Sequence, residues 1–497
     1  MSASPSLAPT PGKPAQAKQH GLAFWMARAL EECDRVGTKL AADPVHDLRV
    51  ALRRCRSMAD GVMAFDPDPS WKQMKKAGKK LFSSLGELRD VQVMQEWVNK
   101  LGGPDDPVTG ALLRFLASRE AQHKLQAAQA LHDFDRKQWK KWSTSLPRRA
   151  AKIRTGSLIF KHLALERWTE AYRLHQRVLR SGSQVAWHSL RIGLKRFRYI
   201  VENFLPAQHE AWIGDLKQLQ DSLGEVHDLD VLWNTALEIK AFPDPSSRAH
   251  WHSKLGEERQ QRIRLYREKM VGKSSLWPVW RAQLPAGKQI ESAAFKRLML
   301  WAAALDPDFS HSRRVTRLAL QLYDGLATNG NAHLDRKKER DILQLAALLH
   351  EVGLSKKQKD HHKTAHRMIE KLQAPLGVAP EKLRMAAVVS RYHRGALPQP
   401  GQKTLAEIPP SERRVAQKLA GILRLANAFD ADHHGQIQRL RVSAQNGHFL
   451  IAAQGYNPRD RMAENIAAGR HLLEMVCRRP VLVKRLVPRT AKSKAAS

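Results

Sequence analysis

Apolar residues recur every three or four positions from about residue 20 onward, which predicts a chain built mainly of helices. Helical stretches are expected around 20–42, 45–65, 70–100, 108–135, 160–180, 184–204, 209–238 and 247–270. Pro- and Asp-rich breaks separate several of them, at 66–69, 103–107 and 242–245. The pattern breaks again over Trp277–Gly287, where a domain boundary is placed, and a further helical region runs to about residue 435. Alternation over Leu440–Ala453, interrupted by Asn446-Gly447, predicts one β-hairpin.

Two of these helices share one pattern. His46-Asp-Leu-Arg-Val-Ala-Leu-Arg-Arg-Cys-Arg56 returns as His188-Ser-Leu-Arg-Ile-Gly-Leu-Lys-Arg-Phe-Arg198, offset by 188 − 46 = 142 residues. At about 100° per residue, His46, Arg49, Arg53 and Arg56 fall within about 80° of one another. His188, Arg191, Lys195 and Arg198 do the same. Leu48, Leu52 and Cys55, like Leu190, Leu194 and Phe197, take the opposite side. Each helix therefore carries a buried face and a cationic stripe. Like charges on one face repel, and an anion bridging them would relieve the repulsion. One such stripe reads as an ordinary solvated face; its return at the same angles favours a site.

A second motif repeats at an offset of 222 − 84 = 138: Ser84-Leu-Gly-Glu-Leu-Arg-Asp90 and Ser222-Leu-Gly-Glu-Val-His-Asp228. Glu87, Asp90, Glu225 and Asp228 read equally as partners that aim the basic side chains or as solvated helix charge. The period implies duplicated helical bundles rather than a short-repeat solenoid. Lys72, Lys75, Lys76, Lys79 and Lys80 extend the basic surface or form another solvated face.

Charge sharpens this picture. Against 48 acidic residues the chain carries 84 Lys and Arg, a formal charge of +36. Such an excess points to a polyanionic partner: nucleic acid, an anionic membrane surface or a chain of phosphates. Aromatics are 6% and show no stacking-platform spacing, which makes nucleic acid the weaker candidate. Three scattered cysteines, Cys33, Cys55 and Cys477, argue against a disulfide framework and fit a cytoplasmic protein. No apolar run reaches 18 residues, and the Pro/Ala/Ser-rich start lacks the apolar core of a secretory signal. Gly272-Lys-Ser-Ser275 ends like a P-loop, but Arg267 stands where its first glycine belongs.

With both motifs repeated in order, residues from about 20 to 275 resemble the CHAD domain, the conserved histidine α-helical domain. The resemblance implies two four-helix bundles related by a pseudo-twofold axis, with halves at about 20–142 and 150–275, around a basic pocket that binds inorganic polyphosphate without catalysis. It implies that His46, Arg49, Arg53, Arg56, His188, Arg191, Lys195 and Arg198 line the pocket. Lys72, Lys75, Lys76 and Lys79 would extend it.

A different resemblance begins near residue 290. His311-Ser-Arg-Arg, Ala346-Ala-Leu-Leu-His-Glu-Val-Gly353, His361-His-Lys-Thr-Ala-His366, Tyr392-His-Arg and Leu425-Ala-Asn-Ala-Phe-Asp430 resemble the HD-like helical domain at the C-terminus of exopolyphosphatase/guanosine pentaphosphate phosphatases. Active HD domains hold a divalent metal through a His, a His-Asp pair and a later Asp. The matching positions here are His311, His350-Glu351 and Asn427. Glu for Asp and a neutral Asn both weaken a site for a hard cation such as Mn²⁺ or Mg²⁺. His361, His362, His366, His393 and Arg394 would contact phosphate. The relatives' Gly-rich catalytic half has no counterpart.

The expected layout is a disordered arm (1–19), a CHAD-like domain (20–278), an HD-like domain with a small hairpin (288–480) and a basic tail (481–497). The expected function is polyphosphate binding without turnover, at polyphosphate granules by resemblance. A metal-dependent phosphohydrolase and a non-specific nucleic-acid binder are the alternatives.

Overall fold

The computed structural model describes residues 21–37, 40–328, 336–445 and 447–486. The expected arm and residues 487–497 of the expected tail lie outside them. The protein is mainly α-helical, and its one sheet has three strands. It divides into two compact units, one running essentially to Pro285 and the other from Ala286, which also takes in residues 63–68.

The first unit repeats one series of helices twice. The first pass is α1 (Leu22–Val36), α2 (Ala42–Val62), α3 (Pro69–Ala77), α4 (Lys79–Leu101), α5 (Pro107–His132) and α6 (Arg136–Ala150). The second is α7 (Leu158–Ser181), α8 (Gln184–Phe204), α9 (Pro206–Glu238), α10 (Pro245–Met270) and α11 (Leu276–Ala282). Pro69, Pro107 and Pro245 each open a helix, where a missing N–H costs nothing. Asp106 caps α5 through the Val108 N–H at 3.0 Å and also accepts the Trp251 indole N–H at 2.8 Å, fastening α5 to α10.

Within each pass the packing is the same: α1 on α2, α2 on α4, α4 on α5 and α1 on α6 correspond to α7 on α8, α8 on α9, α9 on α10 and α7 on α11. Between passes, α2 packs on α8 and α4 on α9, each helix against its own counterpart. A two-fold axis produces this pattern.

Three differences from the sequence reading have local causes. The single helix expected at 70–100 is broken at Gly78, where a Cβ would lie 3.3 Å from the Trp139 ring. Helix α6 is hidden in a lysine-rich stretch containing Pro147, yet Trp139, Trp142 and Leu146 form a buried stripe. Helix α11 spans the expected break, because Trp277 and Trp280 are buried despite the intervening Pro278.

The second unit comprises α12 (Lys288–Ala303), α13 (Phe309–Thr328), α14 (Arg336–Leu349), a 3-10 turn (Val352–Ser355), α15 (His361–Glu370), α16 (Pro380–Arg391), α17 (Lys403–Ala406), α18 (Pro410–Ala428) and α19 (Arg461–Cys477). Strands β1 (Arg439–Gln445) and β2 (His448–Gln454) form the expected hairpin, antiparallel, with Val442 opposite Ile451. Asn446 lies outside the described residues; Gly447 takes the positive φ of 82° that such a turn requires. Strand β3 (Val481–Arg485) pairs parallel to β2, so the expected basic tail begins as a strand. The core joins α13, α14, α16, α18, α19 and the sheet through residues such as Leu322, Leu343, Val389, Leu423 and Ile451.

Candidate functional site

In the first unit the stripes of α2 and α8 come together. Lys195 is pushed down to about 8, by burial first and then by Arg191, Arg53 and Arg49. Four basic groups from two helices 142 positions apart thus share one electrostatic environment. Two carboxylates stand among them, Asp90 on α4 and Asp228 on α9. Burial raises Asp228 to about 6 despite Arg191 and Lys195, and Asp90 and Glu225 add repulsion. Burial also lowers Arg49, with Asp90 opposing.

Geometry explains how so much charge is held. Arg49 Nη1 donates to the Leu85 carbonyl at 2.7 Å, and the guanidinium lies 5.7 Å from the Phe82 ring centroid. Gly86 makes room for it, since a Cβ there would come within 3.0 Å of Arg49 Nη1. Arg53 lies 5.7 Å from the centroid of Tyr199. The Nε atoms of Arg53 and Arg191 are buried and have no acceptor within the protein. Beside Arg191 and Lys195, against Gly224 and Asp228, opens a cavity of about 270 Å³.

In the second unit, histidines converge on one carboxylate. Glu351 lies 3.4 Å from His350 Nε2, 3.5 Å from His393 Nε2 and 3.1 Å from His361 Nε2. Asn427 Oδ1 lies 2.9 Å from His311 Nε2 and 3.4 Å from His350 Nε2. Burial acts to raise the Glu351 pKa, but His350, His361 and His393 outweigh it and hold the group ionised. Burial pushes His350 down to about 3. His311 is raised, Asp430 overcoming the opposing burial. A cavity of about 330 Å³ adjoins the cluster, lined by Glu351, His393, Asn427 and the exposed Arg394.

Residues 26–237 match the family model described as CHAD domain, and residues 297–463 match that of Ppx/GppA phosphatase, domain III. The chain carries a CHAD domain followed by a Ppx/GppA domain III. A solved structure, the CHAD domain from the plant Ricinus communis, is 18% identical; the match covers 55% of this chain and 96% of that one, with a TM-score of 0.38. No curated protein matches. No helix among the described residues is long and apolar enough to cross a membrane.

Within the CHAD domain the stripe residues divide. Arg49, Arg53, Arg191 and Lys195 meet around Asp90 and Asp228. Arg56 instead donates to the Lys75 carbonyl at 2.6 Å, closing the end of α3. Arg198 lies 3.7 Å from Glu202, whose main partner is Arg54. Arg54 also donates to Asn203, and Asn203 to Ser57, so this end of the stripe is a polar seam between α2 and α8. His46 and His188 are exposed near the helix starts. His188 meets His227, with Nδ1 atoms 3.3 Å apart. Burial, Arg191, His188 and Lys195 push His227 down to about 4.

Sequence reasoning passed over His227, although it stands in the second repeated motif one residue before Asp228. Glu225 pairs with Arg262 at 2.7 Å, and Glu87 lies 3.6 Å from His123; neither aims a stripe cation. Lys75 is tied to Asp60 and Lys80 to Asp133, while Lys72, Lys76 and Lys79 are exposed.

Within domain III, His311, His350, Glu351 and Asn427 come together as their motif implies. His361 and His393, expected as phosphate contacts, lie beside the same carboxylate. His366 turns away to Glu407 at 2.9 Å. His362 faces Gly395, whose added Cβ would lie 3.0 Å from its Nε2, and burial pushes it down to about 4. Imidazole nitrogens with a carboxylate fit a divalent transition ion. If such an ion is bound, His311, His350, Glu351 and Asn427 would hold it, and it would supply Lewis-acid activation of a phosphate or of water.

Proposed function

We propose that this protein binds inorganic polyphosphate through its CHAD domain, in the groove where α2 and α8 bring Arg49, Arg53, Arg191 and Lys195 together. The observation that carries this reading is the convergence of four basic groups from both repeats, with two buried guanidinium Nε–H donors lacking acceptors. A chain of phosphates supplies acceptors at close intervals, and arginine takes them two at a time. Nucleic acid suits the groove less well. The rings nearest the cations, Phe82 and Tyr199, already lie under guanidinium groups, so they are not platforms for bases.

The test is polyphosphate binding by the wild type and by Arg49→Glu/Arg191→Glu. The double variant should lose binding while its circular dichroism stays helical. Unchanged affinity would make the stripes solvated faces. Single-stranded DNA in excess should fail to displace a polyphosphate probe.

A second reading has an observation of its own. The histidine cluster of domain III opens on a cavity carrying Arg394, an arrangement suited to a metal-dependent phosphohydrolase whose substrate the CHAD domain would collect. Phosphate release with Mn²⁺ that disappears in His350→Ala supports it. Release equal to a protein-free blank leaves a binding protein.

A further inference from the structure

Helix α15 divides its residues between two sides. His361, His362, Ala365, His366 and Ile369 fall on one side and are buried. Thr364, Arg367, Met368 and, just past the helix, Lys371 are spaced three and four residues apart and fall on the other. There, with Trp301 of α12 and with Lys356 and Lys357 beyond the 3-10 turn, they line a cavity of about 440 Å³. It shares no lining residue with the cavity beside Glu351.

The cavity has an apolar floor and a cationic rim. Trp301, only 8% exposed, belongs to a buried cluster with Leu348, Val352 and Ile369, and Met368 lies half-buried against it. Lys356, Lys357, Arg367 and Lys371 are exposed around them. No carboxylate lines the cavity, and none of the four cations has an ion-pair partner among the described residues. Arg367 bonds through Nε to the Lys363 carbonyl of its own helix at 3.3 Å, which leaves its terminal nitrogens open. Two largely buried donors also lack acceptors. The Thr364 hydroxyl, on a residue 9% exposed, and the Trp301 indole N–H form no hydrogen bond among the described residues.

We propose that this cavity is a binding site for an organic phosphate, a small molecule with one apolar group and one or two phosphates. The apolar group would lie on Trp301 and Met368, and the phosphates would take the cations of the rim and the two free donors. Each half of the site excludes another ligand. A bare phosphate chain would cover the Trp301 and Met368 floor without any apolar group to remove it from water. A nucleotide base brings N–H donors of its own. The lining side chains offer those donors only the Thr364 hydroxyl as an acceptor, and a buried donor left unpaired costs binding. An apolar phosphate ester carries acceptors alone at its polar end, which is what the rim can satisfy. Neither polyphosphate binding by the CHAD domain nor turnover at the histidine cluster is required for it.

The experiment is titration calorimetry of the full chain with 1-naphthyl phosphate, inorganic diphosphate and ATP as probes. Naphthyl phosphate should bind, and Lys357→Glu/Arg367→Glu should weaken it by about tenfold or more. Thr364→Val, close to isosteric, should weaken it by a few-fold through the lost hydroxyl alone. Arg49→Glu/Arg191→Glu should leave it intact, which separates this cavity from the groove of the CHAD domain. Inorganic diphosphate, which has charge but no apolar group, should bind the cavity more weakly than naphthyl phosphate. No binding of naphthyl phosphate at millimolar concentration overturns the proposal, as does binding unchanged in Lys357→Glu/Arg367→Glu with native circular dichroism. Inorganic diphosphate binding as tightly as naphthyl phosphate would reduce the rim to a basic surface and overturn it too. So would ATP binding more tightly than naphthyl phosphate with the same sensitivity to Thr364→Val. Should the charge-reversed variant misfold, Thr364→Val and the order of the three probes decide.

Discussion

Asp228 and Lys195 face the same groove with opposite charges and displaced titrations, about 6 and about 8. Between those values both are ionised. Below about 6 Asp228 takes a proton and the groove loses a negative charge; above about 8 Lys195 gives one up and the groove loses a positive charge. Both changes act in one direction, so polyphosphate affinity should fall in two steps as pH rises from 5 to 9. Binding of a long chain, whose internal phosphates do not titrate in that range, checks this at constant ionic strength. Asp228→Asn should abolish the lower step alone and tighten binding at neutral pH. A flat profile in the wild type would place these two groups outside the binding groove. At this scale the sequence was informative about the basic stripes, because helical periodicity is local. It was silent on Arg56, whose bond to the Lys75 carbonyl depends on where α3 ends. It also marked His361 and His393 as chemically interesting without revealing that the start of α15 and the turn after α16 bring them 3.2 Å apart.

Helix against helix, the close approach of α2 and α8 depends on Gly61. A Cβ there would lie 2.4 Å from the Phe204 ring. Gly61→Ala should therefore destabilise the protein by about 1–3 kcal/mol, the usual cost of overpacking. Gly256, within α10, has nothing within 4 Å of an added Cβ. There Gly256→Ala should stabilise by up to about 1 kcal/mol, since only helix propensity changes. Urea midpoints of the two variants should shift in opposite directions; a shared sign would mean that α2 and α8 tolerate separation. The elements easiest to foresee were those with local signals, such as the proline-led helices and the Asn-Gly hairpin. Helix α6 was obscured by its lysines and Pro147, and α11 by Pro278. Strand β3 exists through pairing with β2, a parallel partnership across helix α19 that no local pattern announces.

For the molecule as a whole, the formal charge of +36 sets the salt dependence. If the four groove cations each neutralise one phosphate, a fourfold rise in salt should weaken binding by about 50-fold. A much steeper loss would mean that the wider basic surface shares the contact. The pairing of α2 with α8 and of α4 with α9 has a consequence of its own. A homopolymer of phosphates is identical read from either end, whereas a nucleic-acid strand has a direction. A groove that presents its charges in the same order from both sides has no front and no back. Such a chain could enter either way round and slide by one unit without losing its fit, while a strand with polarity would meet the second repeat backwards.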